Sequence, residues 1–132
     1  MKKIILFVAL LQTLVFADFK GVDTATFEKM VKDGAPIIDI RTPDEWKEGV
    51  IPNSHKIMFF DERGEYDING FLQSLSKVVK DKSTPFILVC RTASRTKMVG
   101  AFLANQVGYA HVKELRGGIM WGWNNQHKPL EK

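Results

Sequence analysis

The chain has 132 residues, 45% of them hydrophobic, and its 19 basic and 15 acidic residues give a formal net charge of +4. This length fits one domain behind an N-terminal leader, and a single cysteine excludes an internal disulfide. The charge is too small and too scattered for a nucleic-acid-binding surface, so we expect small anions, not nucleic acid, as partners.

The first 17 residues have the pattern of a secretory signal peptide. Lys2 and Lys3 precede an apolar run at 4–11, and the small residue Ala17 stands before Asp18. The run is shorter than the roughly 20 residues of a membrane-spanning helix. The sequence therefore predicts a signal peptide over 1–17, a single domain over 18–132, and an exported, periplasmic protein without stable membrane insertion. An uncleaved N-terminal anchor is the alternative.

Predicted strands and helices alternate after residue 18. Short apolar runs predict strands at 36–40, 55–58, 85–89 and 110–115. Helical spacing, capping residues and glycine stops predict helices at 24–33, 43–46, 71–79 and 97–107, and a short terminal helix holding Trp121 and Trp123. We expect these two tryptophans and Trp46 to be packing residues. The alternation predicts an α/β fold, with a small, mostly parallel sheet and helices on both faces.

Cys90 follows the strand at 85–89, where a short loop turns into a helix. Ligands bind at this edge of an open α/β sheet. The free N–H groups of the helix, its dipole, Arg91 and Arg95 all supply positive potential, which favours a thiolate. Cys90 is therefore the candidate nucleophile. The alternative is an inert cysteine that serves as a small buried hydrophobic residue.

Other polar residues are predicted to have structural roles and not catalytic ones. Asp39 and Arg41 stand two residues apart at the end of the strand at 36–40, so they project on the same side and are predicted to form a structural ion pair. His55, His111 and His127 are isolated, and no Cys/His spacing is typical of zinc. The sequence therefore predicts no metal site and no cofactor.

Three segments together resemble the single-domain rhodanese family. They are residues 38–46, 90–96 and 115–123, in the family's order, and the resemblance covers residues 19–125. It implies the three-layer rhodanese-like α/β fold and sulfurtransferase chemistry, in which a cysteine thiolate carries a sulfane sulfur as a persulfide. The implied donor is a small sulfur-containing anion such as thiosulfate, and the acceptor is cyanide, a thiol or a carrier protein.

The length of the cysteine loop separates sulfur from phosphate chemistry. Four residues lie between Cys90 and Arg95, whereas related phosphatases and arsenate reductases have a loop one residue longer, which makes room for a tetrahedral oxyanion. The short loop favours a sulfur atom. By resemblance, Arg91 attracts the donor and Arg95 positions the donor or shapes the loop. The N–H groups that would form the cradle are those of Thr92, Ala93, Ser94 and Arg95.

The loop also departs from the family pattern. Many rhodaneses have glycine where this chain has Ala93, and commonly asparagine where it has Ser94. If position 93 needs a positive φ, alanine is strained there by about 1 kcal/mol or more. The segment 49–54 lacks the family's histidine and second glycine. These departures leave open a catalytically weak module that binds a partner or senses thiol-reactive species.

Overall fold

The computed structural model describes residues 18–132, so the predicted signal peptide lies outside the described residues. Its centre is one five-stranded sheet with the order β1-β5-β4-β2-β3, and every neighbouring pair of strands is parallel. The strands are β1 (Asp18–Val22), β2 (Ile37–Asp39), β3 (Ser54–Lys56), β4 (Phe86–Val89) and β5 (His111–Leu115). All of their carboxyl ends therefore meet at one edge, where ligands bind in such sheets.

Most helices in the described residues begin directly after a capping residue. They are α1 (Thr24–Lys32), α2 (Pro43–Lys47), α3 (Ile68–Val78) and α4 (Ser94–Phe102). Asp23 caps α1 by accepting a hydrogen bond from the Thr26 N–H at 2.8 Å, and Thr42 forms a capping box with Glu45 at α2. Helix α4 continues as a π-helical turn, Leu103–Val107, and a second π-helical segment, Gly118–Trp123, follows β5.

Two apolar layers enclose the sheet because side chains alternate along each buried strand. Phe86, Leu88 and Cys90 pack on one face, which α3 and α4 cover. Ile87 and Val89 pack on the other, against α1 and the segment Gly118–Trp123. The predicted α/β fold with a parallel sheet between two helical layers is confirmed.

The structure corrects several local predictions. Strand β1, at the edge of the sheet beside β5, was not predicted. Helix α4 begins at Ser94 and not at residue 97, so its first turn lies within the cysteine loop. Trp123 is buried as expected, but the prediction that Trp121 packs was wrong, since 61% of it is exposed.

Candidate active site

Cys90 directly follows β4, at the edge of the sheet where the strands end. Its side chain points to the face covered by α4, because it continues the alternation of Phe86 and Leu88. It is completely buried, and its Sγ lies 3.7 Å from the Oγ1 of Thr96 in the first turn of α4. The sulfur is thus packed against the N-terminal end of a helix, as the sequence predicts, and the loop is closed over it.

Ala93 makes the turn from the loop into α4. It has φ 76° and ψ 9°, the left-handed conformation that favours glycine, and it provides no side-chain cap for the helix. The first N–H groups of a helix have no partner within the helix. Because Ala93 cannot cap them with a side chain, they are suited to bind an anionic group at Cys90.

Gly118 fixes the other side of the loop. The N–H of Ile119 donates to the Cys90 carbonyl at 3.0 Å, and the N–H of Met120 donates to the Arg91 carbonyl at 2.9 Å. A Cβ atom at Gly118, where φ is +65°, would lie 2.5 Å from the Arg91 oxygen and 2.7 Å from the Cys90 oxygen. Because Gly118 has no side chain, the Cys90 and Arg91 carbonyls can point towards the segment Gly118–Trp123. The N–H group that follows each carbonyl in its planar peptide unit then points away from that segment.

Arg95 is held by Glu45 of α2. Its Nη1 and Nη2 donate to the two carboxylate oxygens of Glu45, both at 2.7 Å, in a bidentate ion pair. This hydrogen bonding lowers the pKa of Glu45 from 4.5 to about 2 and also raises the pKa of Arg95. Two roles were predicted for Arg95, positioning the donor or shaping the loop. This geometry fits the second role.

Asp39 and Arg41 form a buried ion pair beside this loop. The Arg41 Nε donates to Asp39 Oδ1 at 3.0 Å, and its Nη2 donates to Asp39 Oδ2 at 2.9 Å. The same Nη2 donates to the Gly49 carbonyl at 2.7 Å. The pair thereby ties the end of β2 to the chain that follows α2.

The remaining predicted loop residues lie closer to the surface. Arg91 and Ser94 are exposed and Thr92 is half-buried, whereas the Cys90 sulfur is shielded from solvent. A reagent therefore reaches this sulfur only after local movement of the loop or its neighbours. A cavity of about 500 Å³ lies elsewhere, between Lys56 and Ser74 along the chain, and Cys90 is not among its lining residues.

Thr96, Glu114 and Lys97, for which no sequence pattern indicated a role, form a hydrogen-bonded chain that starts at Cys90. The Thr96 hydroxyl donates to Glu114 Oε1 at 2.5 Å, and the Lys97 Nζ donates to Glu114 Oε2 at 2.8 Å. Thr96 and Glu114 are buried. The available sequence signal was the position of Glu114 two residues after Val112, which places it on a buried face of β5.

Residues 18–132 contain no group of three or more His, Cys, Asp or Glu side chains placed to hold a metal ion. Across the same residues, no helix combines the length and the apolar character needed to cross a membrane.

Comparison with known proteins identifies the family. The rhodanese-like domain family matches residues 23–125. A protein of Allochromatium vinosum named sulfurtransferase is 30% identical over 94 residues, which cover 71% of this chain and 76% of that protein.

Solved structures share the fold. A thiosulfate sulfurtransferase from Pseudomonas aeruginosa matches with a TM-score of 0.69 and 20% identity, over 86% of this chain and 20% of that chain. The polysulfide-sulfur transferase homodimer of Wolinella succinogenes matches with a TM-score of 0.63 and 22% identity, over 86% of this chain and 78% of that chain. With a parallel sheet that ends in a cysteine loop, and a family match over most of its length, this chain belongs to the rhodanese-like family.

Proposed function

We propose that the protein is a sulfurtransferase that moves a sulfane sulfur from a thiosulfate-like anion to a thiophilic acceptor through a persulfide on Cys90. The observation that carries this proposal is the position of the Cys90 sulfur, directly after β4 and against the first turn of α4. The four-residue spacing to Arg95 supports a sulfur atom over a tetrahedral oxyanion. The family and the names of its relatives support the same class of reaction.

The reaction has two balanced halves. The Cys90 thiolate attacks the outer sulfur of thiosulfate, the bond between the two sulfur atoms of thiosulfate breaks, and sulfite leaves with the electron pair. An acceptor such as cyanide or a thiolate then attacks the outer sulfur of the persulfide, and the Cys90 thiolate leaves. Preorganised N–H dipoles stabilise the anionic outer sulfur without reorganisation.

The loop residues take different roles in this proposal. The backbone N–H groups of Thr92, Ala93, Ser94 and Arg95 surround the sulfur, and the exposed Arg91 attracts the anionic donor. Held by Glu45, the Arg95 side chain fixes the loop.

A second candidate function is a catalytically weak module that binds a partner or senses thiol-reactive species. Two observations favour it: Cys90 is completely buried, and Ala93 occupies a conformation that suits glycine. The two functions differ in turnover, because only the first requires repeated access of donor and acceptor to the sulfur.

The test is thiocyanate formation from thiosulfate and cyanide by the wild-type protein and a Cys90→Ser variant. Sustained formation by the wild type and none by the variant supports the sulfurtransferase. A single uptake of sulfur without turnover favours the weak module. Hydrolysis of a phosphoester with no reaction on thiosulfate would overturn both and would indicate a phosphatase.

We also propose that residues 1–17 are a signal peptide and that residues 18–132 are the exported, periplasmic domain. The charge and hydropathy of the first residues support this. Strand β1, which begins at Asp18, and the pairing of Glu131 with Val50 support one domain over 18–132. The test is expression of the full chain, cell fractionation and determination of the N-terminal residue. An N-terminal Asp18 in the periplasmic fraction is expected, and an intact chain in the cytoplasm would contradict the proposal.

A further inference from the structure

A buried carboxylate is connected to the candidate nucleophile through one hydroxyl group. The residue Glu114 is 3% exposed, and Thr96, which lies between it and Cys90, is 0% exposed. The Oγ1 of Thr96 lies 2.5 Å from Glu114 Oε1 and 3.7 Å from Cys90 Sγ. This carboxylate takes no part in the proposed sulfur transfer.

The direction of these hydrogen bonds depends on protonation. An ionised carboxylate can only accept, and Thr96 has a single hydroxyl proton. While Glu114 is ionised, that proton points to Glu114, and the Thr96 oxygen accepts from the Cys90 S–H. A Cys90 thiolate can also only accept, so it competes with Glu114 for the same proton.

Charge repulsion acts in the same direction. A thiolate and a carboxylate separated by one buried hydroxyl disfavour each other, so their protonation is coupled. If the Cys90 proton moves to the Thr96 oxygen while the Thr96 proton moves to Glu114, one anion remains and every partner is satisfied. Cys90 is then a thiolate with a hydroxyl donor, and Glu114 is neutral.

Other charged groups around this path are few in the described part of the chain. Lys97, on α4, pairs with Glu114 at 2.8 Å and is largely exposed. The neighbouring strands place Gly21 and Leu88 beside Glu114, and the Arg116 guanidinium donates to the Gly21 carbonyl at 3.2 Å. Arg95 is bound to Glu45, which is the main cause of its raised pKa, and charge interaction with Cys90 contributes less.

We propose that Glu114 is a positioning residue that sets the protonation of Cys90 through the Thr96 hydroxyl. Ionised Glu114 holds Cys90 as the thiol, and neutral Glu114 releases the Thr96 proton to stabilise the thiolate. Since the thiolate is the form that oxidants attack, this arrangement protects a buried, unpaired cysteine until it is used. The consequence for sulfur transfer rests on the proposed function, but the coupling itself does not.

The test is a pH titration of the thiolate ultraviolet absorbance, with the Cys90→Ser protein as the blank. A Glu114→Gln variant keeps the shape of the side chain and can donate to Thr96. We expect its titration midpoint to fall by about one pH unit, which is a roughly tenfold change in the ionisation constant. Glu28→Gln, which removes the same charge from α1 on the opposite face, is the matched control and should leave the midpoint unchanged.

Two substitutions at Thr96 test the path through the hydroxyl. Thr96→Val removes the hydroxyl through which the coupling runs and should change the midpoint, whereas Thr96→Ser keeps the hydroxyl and should retain the wild-type midpoint. In the Thr96→Val background, Glu114→Gln should shift the midpoint much less. Thermal unfolding checks that each variant folds, and the two Thr96 variants decide the question if Glu114→Gln does not.

An unchanged or higher midpoint in Glu114→Gln would overturn the proposal. So would equal midpoints in Thr96→Val and Thr96→Ser, or an undiminished Glu114→Gln shift without the hydroxyl. No sulfur donor is present in the titration. If the coupling is observed but no sulfur is transferred, this inference stands and the proposed function fails. If sulfur is transferred without the coupling, the proposed function stands and this inference fails.

Discussion

Ala93 joins the cysteine loop to α4 in a left-handed conformation, with φ 76°. This conformation costs an alanine about 1–2 kcal/mol, and the greater freedom of glycine in the unfolded chain offsets part of the gain from replacing it. We expect Ala93→Gly to increase the free energy of unfolding by about 0.5–1 kcal/mol. Denaturant unfolding measures the difference.

Ala101→Gly is the matched control for this prediction. Residue 101 lies within α4, whose helical path continues to Val107. There glycine should lower the free energy of unfolding by about 1 kcal/mol. If both substitutions destabilise the protein equally, backbone strain at Ala93 is not significant.

The ion pair between Arg95 and Glu45 makes stability depend on pH. Because the pKa of Glu45 falls from 4.5 to about 2 on folding, its contribution is fully present above pH 4.5 and is lost as the pH falls towards 2. After allowance for solvent screening we expect about 1–2 kcal/mol. The free energy of unfolding of Glu45→Gln should therefore be lower than that of the wild type at neutral pH. This difference should shrink below pH 4.5.

Glu65→Gln provides the comparison for that experiment. Glu65 forms an exposed ion pair with Arg63 at 3.4 Å, and such pairs contribute little to stability. Its loss should change the unfolding free energy only slightly at either pH. A Glu45→Gln protein with the same profile as Glu65→Gln would contradict the role given to Arg95.

Residue patterns predicted where Cys90 lies in the fold, but they did not predict the contacts of the candidate site. The position of Cys90 followed from a local apolar run and the helix after it. The partner of Arg95 lies 50 residues away along the chain, and spacing does not reveal which distant side chains meet. Glu114 is similar, because alternation indicates a buried face but not the hydroxyl that faces the carboxylate.

At the scale of elements, the segment after β5 supports the cysteine loop from behind. Gly118→Ala would bring a Cβ against two loop carbonyls and would also strain a positive φ. We expect a loss of about 3 kcal/mol or more in the free energy of unfolding, from backbone strain and overpacking together. Denaturant unfolding measures this loss of stability. The rate of thiocyanate formation should also decline.

Gly34→Ala separates the two causes. Gly34 also has a positive φ, +105°, but a Cβ there would meet nothing within 4 Å. Backbone strain alone should therefore lower the free energy of unfolding of this variant by about 1–2 kcal/mol, and any sulfurtransferase activity should be kept. Equal losses at the two glycines would show that the loop does not depend on close approach at Gly118.

Elements with strong local signals were predicted, and an edge element was missed. The strands β2 and β4 consist of buried and mainly apolar residues, and capping residues mark α1 and α2. Strand β1 alternates poorly, with Lys20 and Gly21 between Phe19 and Val22. Its strand conformation comes from pairing with β5, a long-range contact that its own sequence does not indicate.

At the scale of the whole molecule, the parallel sheet brings distant segments to one edge. The ends of β2 and β4 supply the Asp39–Arg41 pair and Cys90, and the end of β5 leads to Gly118. Alternation of strands and helices predicted this architecture because parallel strands need helical crossovers. How tightly the loop closes over Cys90 depends on packing throughout the molecule, and the sequence did not predict it.

Intact mass measurement shows directly whether Cys90 carries a transferable sulfur. The purified protein is weighed before thiosulfate, after thiosulfate and after subsequent cyanide, beside a Cys90→Ser control. We predict a gain of one sulfur atom on thiosulfate that cyanide removes and that the control lacks. No gain in mass, while the Cys90 thiol of the folded protein still reacts with an alkylating reagent, would contradict the account.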